Sequence, residues 1–164
     1  MMKVSILYHS VSGNTVAVSQ LIKEGAIQHE NVEAKCMSIE NLDLDFLNES
    51  KIVFFGTPTY SGSLTWQMSK FIETNKINWK NKVCSVFATE KHLGGGADFA
   101  ELSIIAHMLV KGMFVYSVGA SEGLPYTHFG AVCIQDGSED EKQVERVVLY
   151  GNRVVKNVIT EFKL

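Results

Sequence analysis

The chain has 164 residues, 46% hydrophobic and 20% charged, which suits one globular domain spanning 1–164 with a proper core. Its formal net charge of -3 excludes the basic footprint of a nucleic-acid binder and any strong pull towards an anionic membrane. Cys36, Cys84 and Cys133 are odd in number and form no C-x-x-C pair, so they read as reduced structural thiols rather than metal ligands, and no metal is expected. The N-terminus runs straight into a strand-like segment without signal-peptide features or a membrane span, so a cytoplasmic location is the expectation.

Val4 to Tyr8 predicts a buried strand, because a parallel strand covered on both faces loses polar alternation. Asn14 to Glu30 follows as a helix with Val18, Leu21, Ile22 and Gly25 on one face. Val32 to Ile39 predicts a second strand, Leu42 to Leu47 a short helical turn, and Ile52 to Phe55 a third strand ending at Gly56-Thr57-Pro58. Leu64, Met68, Phe71 and Ile72 mark a helix from which Trp66 points away from the core. Val83 to Ala88 predicts a fourth strand that opens into a loop from Thr89 to Gly96. Phe99 to Val110 predicts a helix ended by Gly112, Met113 to Val118 the fifth strand, and Glu139 to Phe162 a closing helix. Gly119 to Gly137 shows little periodicity.

Strands alternating with helices predict right-handed crossovers and a parallel sheet. The fold class is α/β: a three-layer α/β/α sandwich around a five-stranded parallel sheet of order 2-1-3-4-5. In such sheets ligands collect beyond the carboxyl ends of the strands, at the switch point. That rule selects the loops 10–15, 57–63 and 89–96.

The first loop is Ser10-Val11-Ser12-Gly13-Asn14-Thr15. It can hold a phosphate on unpaired helix-start amides, with Gly13 allowing close approach. Ser10, Ser12 and Thr15 add hydroxyls and Asn14 an amide. No Lys or Arg lies between Lys3 and Lys23, and neither G-x-x-x-x-G-K-[ST] nor G-x-G-x-x-G occurs. The ligand that fits is therefore one small phosphate monoester; the same residues also suit a plain loop with a helix cap. In the second loop Pro58 stiffens the backbone, Gly62 permits positive φ, and Tyr60 can lie flat against a planar ligand such as a flavin or stand as a loop aromatic. In the third, the glycines permit close approach, and Lys91 and His92 either assist charge on a reduced flavin or are solvated. His128 is a further candidate, in the irregular Pro125-Tyr126-Thr127-His128-Phe129-Gly130 segment, while His9 and His107 read as structural.

Taken together the loops resemble a known family. Ser-x-Ser-Gly-Asn-Thr after the first strand resembles the FMN phosphate loop of flavodoxins. Gly56-Thr57-Pro58-Thr59, Gln67-Met68, Phe71, Phe87 to Gly96, Gly112-Met113 and Pro125-Tyr126 with Gly130 look more like WrbA-type NAD(P)H:quinone oxidoreductases of that superfamily. The resemblance implies that Ser10, Ser12, Gly13, Asn14 and Thr15 hold the FMN phosphate. It further implies that Pro58, Thr59, Tyr60, Ser61 and Gly62 line the ring, with Thr89, Glu90, Lys91, His92, Gly94 and Gly95 at its far edge. Tyr60 stands where the WrbA type commonly has Arg, and Lys111 where it commonly has His.

The function read from this is an FMN-dependent reductase of quinones or similar small acceptors, with NAD(P)H as co-substrate, His92 and Tyr60 as catalytic candidates, and a dimer or tetramer as the assembly. The alternative is a flavodoxin-type carrier passing single electrons between protein partners. The modest charge of -3 favours the reductase, since carriers of this type are strongly acidic.

Overall fold

The computed structural model describes residues 1–163. The chain runs β1 (Met2–Tyr8), α1 (Asn14–Ala26), β2 (Val32–Ser38), α2 (Leu44–Glu49), β3 (Ile52–Pro58), α3 (Trp66–Thr74), β4 (Val83–Glu90), α4 (Ala97–Val110), β5 (Phe114–Val115), β6 (Ala131–Ile134) and α5 (Glu141–Phe162). All sheet pairings are parallel and the order is β2-β1-β3-β4-β5, as the βαβ pattern predicts.

The fifth position departs from expectation. Instead of one strand over 113–118, two short strands share β4: Phe114 and Val115 pair with Val83 and Cys84, while β6 pairs with Phe87 to Glu90. The irregular stretch between them leaves the sheet and returns to it. β6 has four residues and its partner lies far away in the sequence, so no local periodicity announces it. Two other bounds also shift. α1 stops at Ala26 rather than Glu30, with Ile27 as its cap, and Asn31 takes a left-handed conformation (φ 64°) at the entry to β2. β4 continues through Glu90, so Thr89 and Glu90 belong to the strand.

Strand geometry alternates side chains between the faces, and each face carries its own core. Ile52 and Phe54 meet α1 and α5 through Val18, Ile22, Val147 and Val154. Val53 and Phe55 meet α2, α3 and α4 through Phe46, Met68, Ile72 and Ile104. Because both faces are covered, β4 is buried along its whole length, and its sequence shows no polar alternation.

On the first face, two glycines set the spacing between α1 and α5. A Cβ on Gly25 would lie 1.9 Å from the Val148 carbonyl oxygen, and one on Gly151 would lie 2.3 Å from that of Ile22. Each helix thus presses its backbone against the other at two points. On the second face, the buried Lys82 ammonium donates to the carbonyls of Leu47, Asn48 and Ser50 at 3.2, 2.7 and 2.6 Å. It thereby satisfies carbonyls that α2 leaves open at its C-terminal end, and burial holds its pKa below the usual lysine value.

Alanine is the better helix former by up to about 1 kcal/mol, so helix propensity alone predicts that Gly25→Ala stabilises the protein. Backbone contact decides the opposite: Gly25→Ala is expected to lose about 1–3 kcal/mol in urea unfolding, as overpacked sites do.

Candidate functional site

The carboxyl ends of β1, β3 and β4 deliver the three loops to one edge, and specific bonds hold them there. Thr59 N donates to the Thr89 carbonyl at 2.8 Å, and His9 N to that of Gly56 at 3.1 Å. The hydroxyls of Thr15 and Thr89 hydrogen-bond at 2.9 Å, tying the start of α1 to the end of β4. His9 Nδ1 lies 3.1 Å from Thr65 Oγ1, which caps α3 by accepting from Met68 N. His9 is buried, and that burial holds its pKa below the usual histidine value against an opposing pull from Glu40.

The start of α1 differs from that of the other helices. α2 and α5 are capped by Asp43 and Asp140, α3 by Thr65, and the first amide of α4, on Ala97, donates to the Glu90 carboxylate at 3.3 Å. α1 has Gly13 at its cap, with φ 95°, no side-chain cap and no acidic residue in its first turn. Its opening amides are thus left to an outside acceptor. Two side-chain oxygens at the same edge are in a matching condition: Ser10 Oγ and Thr59 Oγ1 are buried without a hydrogen-bond partner. Orphaned hydroxyls beside uncapped amides form a donor set that a phosphate group completes.

The second loop is a tight hairpin. Tyr60 and Ser63 exchange both backbone bonds, at 3.0 and 3.1 Å, across Ser61 (φ 52°) and Gly62 (φ 73°). This turn leaves Tyr60 48% exposed. A Cβ on Gly96 would come within 2.8 Å of Gly62 Cα, so the second and third loops touch at their glycines. Lys91, His92, Gly94 and Gly95 are exposed on that third loop. Trp66 is 68% exposed, as its position on the helix predicts.

Three of the expected site residues have other work. Thr89 and Glu90 are buried at the strand end, the first holding Thr15 and the second holding the start of α4, so neither side chain is free for a ring edge. Thr15 is buried as well, with its hydroxyl already engaged. Thr59 is the residue whose importance the sequence understated. Its orphaned hydroxyl shows only once β3 and β4 are in register.

His128 lines a separate cavity of about 290 Å³ at the β6 edge, with Asp98, Tyr126, Gly130 and Arg146. Behind Gly130 lies Glu101, which no sequence signal singled out. It is wholly buried on α4 and neither carboxylate oxygen has a partner. Burial first, then the charge of Asp98, raises its pKa well above the carboxylate range, with Arg146 opposing. Burial without a hydrogen-bond partner thus favours the protonated carboxyl in the fold.

Class and family follow from these features. The fold is a doubly wound α/β sheet, and the donor set at its carboxyl edge is of a kind that suits a phosphate monoester. The flavodoxin family profile matches residues 6–146, and the chain belongs to the flavodoxin family. A flavodoxin of Clostridium saccharobutylicum is 42% identical over 158 residues, covering 96% of this chain and 98% of that protein. An NAD(P)H dehydrogenase (quinone) of Archaeoglobus fulgidus is 22% identical over 187 residues, covering 95% and 97%. Among solved structures, a flavodoxin, WrbA-like protein of Agrobacterium tumefaciens superposes with a TM-score of 0.77 at 22% identity, covering 98% of this chain and 99% of that one. A Fusobacterium nucleatum flavodoxin bound to flavin mononucleotide superposes at 0.68 and 15% identity, covering 96% and 98%.

The raised Glu101 pKa sets a pH dependence. A carboxyl protonated in the fold and ionised when unfolded stabilises at low pH and ceases to do so as pH rises through its folded value. Stability from this group therefore falls as pH rises from the ordinary carboxylate value towards its raised folded value. Glu101→Gln, which mimics the protonated form, is expected to flatten that fall and to raise the urea midpoint at the alkaline end.

Proposed function

We propose that this protein is a flavodoxin-type carrier that holds FMN at the carboxyl edge of its sheet and passes single electrons between protein partners. The observation that carries this reading is the 42% identity to a flavodoxin across almost the whole of both chains. It outweighs the argument from net charge, which pointed to a reductase. When bound, FMN supplies an isoalloxazine that exchanges electrons singly or in pairs.

The residues that hold it act through dipoles. Ser10 and Thr59 donate their orphaned hydroxyls to phosphate oxygens, and the uncapped amides after Gly13 add main-chain donors. No ammonium or guanidinium is present in the turn, so charge is balanced by the helix dipole and hydrogen bonds alone. Ser12 and Asn14 border the same turn. Thr15 acts through Thr89, fixing the turn against β4. Tyr60, with Pro58, Ser61 and Gly62, offers an aromatic face on a stiff hairpin, and Lys91 to Gly95 bound the far side. His92, exposed on that loop, and Tyr60 are contacts at the ring in this reading. Tyr60, Leu93 and Trp66 are exposed large side chains around the edge, which suits approach by a protein surface.

A second reading, NAD(P)H-dependent two-electron reduction of quinones, is favoured by the relative from Archaeoglobus fulgidus, which bears that name. Anaerobic mixing separates the two. The carrier reading expects the FMN-loaded protein to stay oxidised when mixed with NADH or NADPH, and to take up electrons in two resolved single steps during reductive titration. Rapid bleaching by either nucleotide would give the reductase. A protein that binds no FMN removes both.

Thr59→Ala and Ser10→Ala are each expected to weaken FMN binding about tenfold, or about 1.4 kcal/mol for one charge-assisted bond, without changing riboflavin affinity. Fluorescence quenching on titration measures both ligands. Equal losses for riboflavin would place these hydroxyls away from the phosphate.

A further inference from the structure

The pattern of α4 is inverted for a helix at a protein surface. Its buried side includes the carboxyl group of Glu101, whereas Phe99, Leu109 and Val110 are 69%, 57% and 89% exposed. With Leu102 and Ala106 they recur at helical spacing and form one outward stripe. A contiguous apolar stripe of this kind marks an interaction surface. The polar groups beside it are already satisfied: Ser103 Oγ donates to the Phe99 carbonyl at 2.8 Å, and His107 Nδ1 lies 2.7 Å from the Ser103 carbonyl oxygen. Drying this face therefore strands neither the Ser103 hydroxyl nor His107 Nδ1, while His107 Nε2 faces Glu73 Oε1 at 3.8 Å.

The two ends of the stripe complement each other. At the N-terminal end Phe99 projects. At the C-terminal end a groove of about 410 Å³ is lined by Ala106, His107, Val110 and Lys111, with Glu73 of α3 on its far side. Charge follows the same polarity, with Asp98 in the first turn and Lys111 just past the last. A surface whose knob and hole, and whose negative and positive ends, lie at opposite ends of one helix is complementary to itself under a two-fold rotation.

We propose that α4 packs antiparallel against α4 of a second copy of this chain, about an axis near Ser103. Phe99 of each copy fills the groove at Ala106 and Val110 of the other. This pairing brings the Asp98 end of each helix to the Lys111 end of its partner and sets the two helix dipoles antiparallel. The axis follows from the spacing, since Phe99 and His107 lie equally far, about 6 Å, on either side of Ser103. None of the stripe residues belongs to the loops of residues 57–63 and 91–96, so pairing does not draw on the side chains of those loops.

Sedimentation velocity of the FMN-loaded protein at tens of micromolar tests this. The expected result is a dimer whose dissociation constant rises at least about a hundredfold in Val110→Glu, with flavin absorbance and the far-ultraviolet spectrum unchanged. Asp98→Lys is expected to weaken the dimer, and adding Lys111→Asp to restore it. Leu102→Cys, next to the axis, is expected to cross-link two copies on mild oxidation, which keeps the test independent of the charge variants. A wild-type monomer overturns the proposal, and so does a dimer that Val110→Glu leaves intact or a Leu102→Cys protein that does not cross-link.

Discussion

A phosphate group brought into a protein must be met by donors, and the turn that opens α1 offers donors without a cation. The first crossover supplies them. A parallel strand ends, Gly13 takes a left-handed conformation, and α1 begins with amides that no side chain of its own covers. The helices α2, α3, α4 and α5 have their first amides covered by Asp, Thr or Glu. The omission at α1 leaves amides that suit an anion. The order of the sheet places this turn at the switch point: from β1 the chain adds β2 on one side and β3 on the other, and the crevice opens between the crossovers at that place.

The core holds that turn in register. α1 is pinned to α5 through Gly25 and Gly151, where backbone meets backbone and no side chain can act as a spacer. At its other end the Thr15–Thr89 bond fastens it to β4, and Thr59 is drawn to the same strand by its own amide. Packing on the far side of the sheet reaches the site as well. The N-cap of α3, Thr65, shares a hydrogen bond with His9 one residue before Ser10. Preorganisation here comes from main-chain and hydroxyl bonds in a dry environment, where each is stronger than in water.

The sequence displayed what is local and hid what is distant. Strand order and the parallel sheet could be read from alternating periodicities, and with them the meeting of three loops at the carboxyl edge. The split of the fifth position could not, because β6 is recognisable only by its partner, Phe87 to Glu90. Nor could the difference between Thr59 and Thr89, two threonines at strand ends. One is orphaned, while the other is bonded because α1 brings Thr15 to the end of β4. Glu101 carried no signal of its own. On an amphipathic helix a Glu belongs outside, and here apolar residues take that place.

The amide spectrum tests the central claim most directly. Isotope-labelled protein without flavin, titrated with FMN, should show its largest downfield proton shifts at the amides of Ser12 to Val16, where main-chain donors meet the phosphate. Riboflavin should leave those five amides nearly unmoved while still shifting Tyr60 to Ser63. If FMN and riboflavin moved the same amides equally, or if residues 12–16 did not respond, the account of an anion held by uncapped helix amides would be contradicted.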